Sequence, residues 1–334
     1  MKFVRFVLLT AFVVGAVVAW DWLRSTPPQQ WPEWVPRQLA SWVHPDSSSG
    51  EEPPARGGQT IRVATFNIQV FGQSKLRKPK VMQVLAQVIR RFDVVAIQEI
   101  RSKRQDVLPR LLEYVNADGS RYDYAIGPRL GRTSSAEQYA FVFNTATVEI
   151  DRSMVQTVVD RGDRLHREPL VALFRARGPP PEQAFTFLLI NIHTDPDEVP
   201  QELKALAAVY QAVRRTPHPV SKRLEDDVIL LGDLNTDAEH LGPLGRLPYL
   251  VAAITQEPTN TRRTKQYDNI LFHREATREF TGRAGVLDLQ KEFGLSLQEA
   301  LRVSDHLPVW AEFTIYEGGK PGFVAASAEE PLRR

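Results

Sequence analysis

The residue pattern predicts an α/β chain folded as a layered sandwich. Short apolar runs alternate with amphipathic segments from Thr60 onward, strands outnumber helices, and the strands come in pairs with no internal repeat. That combination favours packed sheets with helices outside over a singly wound parallel sheet. Ile61–Ile68 reads as the first strand. Val81, Val84, Leu85, Val88 and Ile89 then share one helical face. Val94–Ile97 is a continuous apolar run suited to a strand buried on both faces. A helix is expected over Gln105–Asn116, followed by strands at Tyr122–Ile126, Tyr139–Phe143, Val148–Met154 and Leu170–Phe174. Phe185–Ile192 is a long buried strand, and Val199, Leu203, Leu206, Tyr210 and Val213 mark a second amphipathic helix. Val228–Leu231, Asn269–Phe272 and Val309–Ile315 complete the expected strands.

Outside that domain the chain reads differently. Lys2 and Arg5 precede an uncharged run, Phe6–Trp20, with small residues at Val17–Ala19. This fits a signal peptide over residues 1–22, or an uncleaved anchor using residues 3–20 with Trp20 and Trp22 at the interface. Either expectation sends the protein out of the cytoplasm: secreted, periplasmic or held at a membrane by its N-terminus. Residues 23–59 are rich in proline and tryptophan and read as a linker. The catalytic domain is expected over 60–316, and residues 317–334 as a flexible tail.

Composition narrows the chemistry. The 334 residues contain no cysteine, which excludes a disulfide scaffold, thiolate zinc sites and a cysteine nucleophile. The net charge of +2 gives no overall footprint for a polyanion. No Gly-x-Ser-x-Gly elbow, phosphate-binding Lys-Ser/Thr loop, dinucleotide fingerprint or His-Glu-x-x-His is present.

Polar residues recur where the buried strands end: Asn67, Glu99, His193, Asp233 and Asn235, then Asp268, Asp305 and His306 flanking the later strands. Singly, each could be a turn former. Jointly, neighbouring strand ends would gather them at one sheet edge. An oxygen-rich set without thiolate suits a hard cation such as magnesium. Imidazoles beside carboxylates suit acid–base work near neutral pH. Together they are equipped to add water to a phosphorus centre.

These blocks resemble the endonuclease/exonuclease/phosphatase superfamily, and within it the pancreatic-type deoxyribonuclease branch. The resemblance runs over residues 60–316 through Thr65–Gly72, Ile97–Arg101, Gly131–Glu137, Arg167–Pro169, Asn191–His193, Gly232–Asn235, Tyr267–Asp268 and Ser304–Val309, in that order. It implies a four-layer α/β sandwich of two packed mixed β-sheets with outer helices. It implies a phosphodiesterase using magnesium or manganese, with nucleic acid, DNA before RNA, as substrate. Glu99 is then the principal metal carboxylate, with Asn67 beside it and Asp305 supporting. His193 pairs with Glu137 and His306 with Asp268, as acid and base across the scissile phosphate. Asp233 and Asn235 hold metal, phosphate or water. Arg101 reaches a duplex groove, and Arg167 contacts phosphate or braces the site. A structural calcium is suggested at Glu257, Thr259 and Thr261, although Arg263 puts a cation there.

Gln69 stands where that branch usually has an arginine, and Ser135 where it has an aromatic. Both predict weaker cutting of duplex DNA. The competing readings are a phosphoesterase acting on phospholipid or sugar-phosphate head groups and a non-catalytic module on the same fold. The discriminating feature is whether Lys75, Arg77, Lys78, Lys80, Arg101, Arg129 and Arg132 face the cleft.

Overall fold

The computed structural model describes residues 58–132, 136–219 and 221–322. The expected leader or anchor lies outside the described residues, as does the linker up to residue 57. Among the described residues, no helix is long and apolar enough to cross a membrane.

Twelve strands form two six-stranded sheets among the described residues. The first contains β1 (Thr60–Phe71), β2 (Val94–Ile100), β3 (Tyr122–Ile126), β4 (Gln138–Asn144), β11 (Phe280–Val286) and β12 (Val309–Thr314), in the order β11-β12-β1-β2-β4-β3. The second contains β5 (Val148–Thr157), β6 (Leu170–Ala176), β7 (Thr186–His193), β8 (Val228–Asp233), β9 (Leu250–Ala252) and β10 (Asp268–His273), in the order β5-β6-β7-β8-β10-β9. Each sheet has one parallel pair at its centre, β1/β2 and β7/β8, and antiparallel pairs elsewhere.

A parallel pair needs a crossover, and a helix supplies each one. Between β1 and β2 run α1 (Gln73–Leu76) and α2 (Pro79–Ile89), the latter opened by a proline whose missing N–H costs nothing in the first turn. Between β7 and β8 runs α4 (Val199–Arg214), after α3 (Val107–Val115) earlier in the chain. Shorter helices α5 (Gly242–Gly245), α6 (Leu289–Phe293) and α7 (Leu297–Val303) follow, the last opened by a Ser296/Glu299 capping box.

Alternation along the strands separates three cores. Ile61, Val63, Val94, Ala96, Phe141 and Phe143 of the first sheet meet Phe174, Phe187, Leu189, Ile229, Leu231 and Ile270 of the second. The opposite faces carry Ala64, Phe66, Val95 and Ile97 under α2 and α3, and Leu188, Ile190, Val228 and Leu230 under α4. Helix, sheet, sheet and helix are thus the four expected layers, each sheet buried on both faces.

Two strands and four short helices have no counterpart in the sequence reading. Strand β11 carries Thr281, Gly282, Arg283 and Gly285 at the sheet edge, so it shows no apolar run. Strand β9 has three residues. The expected tail is corrected at its start: Glu317–Gly319 forms a 3-10 turn, with the Glu317 N–H donating to Gln183 O and the Gly318 N–H to Glu279 Oε1.

Candidate active site

The side chains that face the other sheet are the odd residues of β1 and β7, the even residues of β2 and the odd residues of β4 and β8. Continued to one end of the sandwich, that parity delivers Asn67 from β1, His193 from β7 and Asp233 from β8, with Glu137 just before β4. Asp268 shares the inward parity of Ile270 and Phe272 on antiparallel β10, and pairs directly with Asp233. Polar groups therefore replace apolar ones on the inner faces where the sheets open.

Glu99 obeys a different rule. By alternation it would point to the helix side with Val95 and Ile97. The pairing of β2 with β4 shifts between Ile97 and Ile100, and Glu99 adopts a left-handed backbone, φ 63°. A bulge of this kind re-aims one side chain. Its Oε2 accepts from the Val70 N–H at 2.7 Å, and its Oε1 lies 3.4 Å from Asn67 Nδ2. The left-handed Asn235, φ 50°, comes from a similar turn after β8, with its N–H on Asp233 Oδ1 at 2.9 Å and its Nδ2 on Thr194 O.

The two imidazoles are mounted as mirror partners. His193 Nδ1 lies 2.8 Å from Glu137 Oε1, and His306 Nδ1 lies 2.8 Å from Asp268 Oδ2. Each ring then presents Nε2 to one oxygen, Asp233 Oδ2, at 3.5 Å. Asn67 Nδ2 donates to that same oxygen at 2.9 Å. Burial lowers the His193 pKa, but Glu137 and Asp233 outweigh it and the net shift is upward. Burial likewise opposes the charged His306, yet Asp268 and Asp233 hold its pKa well above the ordinary histidine range. Burial raises Glu137, and the adjoining His193, Arg167 and Arg101 reverse that, leaving its carboxyl lowered. An ionised Glu137 only accepts hydrogen bonds, so His193 Nδ1 carries the proton.

The sequence-predicted residues are all brought together, with two refinements. Of the two roles expected for Arg167, its geometry fits the brace: it is buried, its Nε 3.5 Å from Glu137 Oε2 and its Nη1 donating to His193 O at 3.2 Å. Arg101 sits at the rim, partly exposed, with Nε 3.0 Å from Glu99 Oε2 and 3.9 Å from Glu137 Oε2. Gln69, which replaces an expected arginine, donates to Asp305 Oδ2 at 2.9 Å.

The cationic strip divides. Lys75 is buried, donates to Val303 O, and burial pushes its pKa down to about 8 against the pull of Asp305 and Glu99. Arg129 is spent on Arg101 O and Ser102 O, and Arg132 on Asp163 and Glu198. Arg77, Lys78 and Lys80 are exposed.

Where the resemblance suggested calcium, two of the three side chains already have partners. The Thr259 hydroxyl donates to Asp268 Oδ2 at 2.8 Å, and the Thr261 hydroxyl to Ser304 O at 2.7 Å. Both hydroxyls brace the catalytic loop, and Arg263 is paired with Asp288. A catalytic cation, by contrast, fits the donors present. Asn67 Oδ1 and Asp305 Oδ1 are buried acceptors with no donor. Hard oxygen atoms left without protons are what magnesium or manganese takes.

Several supporting residues went unassigned in the sequence. Tyr139 exchanges hydrogen bonds with the His193 backbone through its hydroxyl, and Ser304 Oγ donates to Asn67 O at 2.7 Å. Thr65, Gln98 and Asn191 form a buried polar link beneath the site. Their signal was a polar residue on an inward-facing position of an otherwise apolar strand.

The description of the endonuclease/exonuclease/phosphatase family matches residues 64–306. The chain belongs to that family. It is 32% identical over 270 residues to deoxyribonuclease gamma of Rattus norvegicus, covering 76% of this chain and 84% of the relative. It is 32% identical over 273 residues to human deoxyribonuclease-1-like 1, covering 78% and 87%, and 28% identical over 273 residues to bovine deoxyribonuclease-1, covering 77% and 93%. Among the family's branches it falls with these pancreatic-type deoxyribonucleases. The solved structure of a humanized Danio rerio TDP2 shares the fold, with a TM-score of 0.52 at 17% identity over 76% of this chain and 98% of that one. As a family member the chain is a hydrolase acting on ester bonds.

Proposed function

We propose that this chain is an exported, divalent-metal-dependent endonuclease that hydrolyses DNA phosphodiester bonds. The observation that carries it is the convergence of both imidazole Nε2 atoms, 3.5 Å each, on the one Asp233 oxygen. A phosphate seated there has a nitrogen on either side, as in-line displacement requires. One imidazole accepts a proton from the attacking water while the other gives its proton to the departing sugar oxygen. The new P–O bond forms as the P–O bond to that sugar breaks. Glu137 and Asp268 fix the ring orientations and favour the imidazolium form. Asn67 and Asn235 offer amide groups for the non-bridging oxygens. Glu99, Asn67 and Asp305 would hold a divalent cation, which when bound would supply positive charge against the developing phosphoryl charge.

DNA as the substrate is supported by relatives that are themselves named deoxyribonucleases. Arg101 at the rim and the exposed Arg77, Lys78 and Lys80 offer cations for a backbone. Export rests on Lys2, Arg5 and the apolar Phe6–Trp20 run. The test is incubation of the purified full chain with supercoiled plasmid, RNA and a lipid phosphodiester, with magnesium or with chelator. Magnesium-dependent nicking of the plasmid is expected. Hydrolysis of the lipid diester with the plasmid intact would replace this reading with the head-group one.

A further inference from the structure

A second oxygen-rich cluster lies at the other end of the sandwich. Asp227 immediately precedes β8, whereas Asp233 ends it. At roughly 3.3 Å per residue the strand puts about 20 Å between the two. Glu279 immediately precedes β11, and Glu317 follows β12, so the cluster joins the first sheet to the second. One ligand oxygen from each of Asp227, Glu279 and Glu317 lies within 4.8 Å of the others, and Glu225, Asp226 and Asp227 form an adjoining group.

No basic side chain of the described protein pairs with this charge. Among the described residues, no ion pair within 4 Å involves any of these five carboxylates. Asp227 and Glu279 are each 1% exposed. Asp227 Oδ1, Glu279 Oε2 and Glu317 Oε2 are all buried acceptors with no hydrogen-bond partner. Leaving such acceptors unmatched is costly, more so when they are charged. Burial and mutual repulsion push Glu225 up to about 8 and Glu317 up to about 7, and raise Asp227 and Glu279 as well.

We infer that Asp227, Glu279 and Glu317 hold a calcium ion that ties the two sheets together at the end remote from catalysis. Calcium takes six to eight oxygens in irregular geometry, whereas magnesium demands an octahedron and keeps its waters. Buried carboxylates crowded together suit the former. The ion satisfies three orphaned oxygens at once and joins the start of β8 to the chain after β12.

The test is calcium chloride titration of the chelator-stripped full chain carrying Glu99→Ala, followed by calorimetry and thermal unfolding. That background disables the catalytic cation site, so the outcome does not depend on the proposed nuclease function. Calcium at about 100-fold above its Kd should raise Tm by roughly 5–10 °C. Adding Asp227→Asn with Glu279→Gln should abolish the shift. If that combination fails to fold, Glu317→Gln on the turn should still weaken calcium binding about 10-fold or more. No calcium response in the Glu99→Ala chain would mean that a shared proton, not a metal, neutralises the cluster. An undiminished response after substitution, or a response to magnesium alone, would overturn the assignment equally.

Discussion

Gly232→Ala tests whether the register of β7 against β8 sets the catalytic geometry. Gly232 sits one residue before Asp233 with φ 151°, and pairs with Ile192, one residue before His193. A Cβ at this position would stand 1.9 Å from Ile192 O and 2.8 Å from its carbonyl carbon. Both atoms are backbone, so no rotamer change relieves the clash. The strands must part by at least about 1 Å, at the point where the two partners of the imidazole–carboxylate contact leave the sheet. A misplacement of that size costs about 10²-fold in rate. Overpacking and the unfavourable φ together should remove on the order of 2–4 kcal/mol of stability. The assay is kcat on a small chromogenic phosphodiester well below the unfolding midpoint, beside the midpoint itself. Gly119→Ala is the control: its φ is 92°, yet its Cβ meets nothing within 4 Å. It should lose some stability and keep kcat. A Gly232→Ala enzyme with wild-type kcat would refute the idea that this close approach positions the site.

Other substitutions probe the remaining parts. His193→Ala and His306→Ala should each lower kcat about 10²–10⁴-fold with little change in substrate affinity, and the double mutant should be barely worse than either; additive losses in steady-state kinetics would contradict a paired mechanism. Glu99→Ala should lose cation affinity and turnover together, and full wild-type activity in chelator would remove the metal from the reaction. Arg101→Ala should slow duplex cutting more than small-diester cutting and flatten its salt dependence; equal losses on both substrates would mean that the guanidinium works only through Glu99 and Glu137. Glu312→Ala should cost about 3–5 kcal/mol in denaturant unfolding, because it strands the buried Arg62 guanidinium now 3.0 Å from Glu312 Oε2.

The strand ends were legible because the chemistry interrupts an apolar alternation. Asn67, His193 and Asp233 each occupy a position where the preceding pattern calls for Val, Leu or Ile, and burial of a polar group without purpose is costly. Glu137 and Arg167 were different: no periodic run leads into them, and only the resemblance identified them. Glu99 was legible as a polar strand end but its direction was not, since that depends on a bulge and a left-handed φ that residue alternation does not encode. For Arg167 the sequence left two roles open, a phosphate contact and a brace. Its bracing position follows from the neighbouring carboxylate of Glu137, which is distant in sequence. The far acidic cluster was invisible because its members come from three separate turns, none with a motif of its own.

The site also explains why polar residues run deeper than catalysis needs. Apolar faces such as Phe174 against Phe141 pack well but fix the relative slide of two sheets only weakly. Below the imidazoles, Gln98 Nε2 donates to Asn191 Oδ1 at 2.7 Å, and Asn191 Nδ2 donates to Ile97 O and Ala140 O of the opposing sheet. These bonds are fully buried, where an unmet partner is expensive, so one alignment of the sheets is strongly preferred. That alignment matters because the catalytic groups are divided: Asn67, Glu99 and Glu137 belong to the first sheet's side, and His193, Asp233 and Asp268 to the second. The contacts of Glu137 with His193 and of Asn67 with Asp233 both span the seam. A slide of one sheet over the other would strain both together. The Gln98–Asn191 link therefore acts as a registration device for chemistry assembled from two sheets.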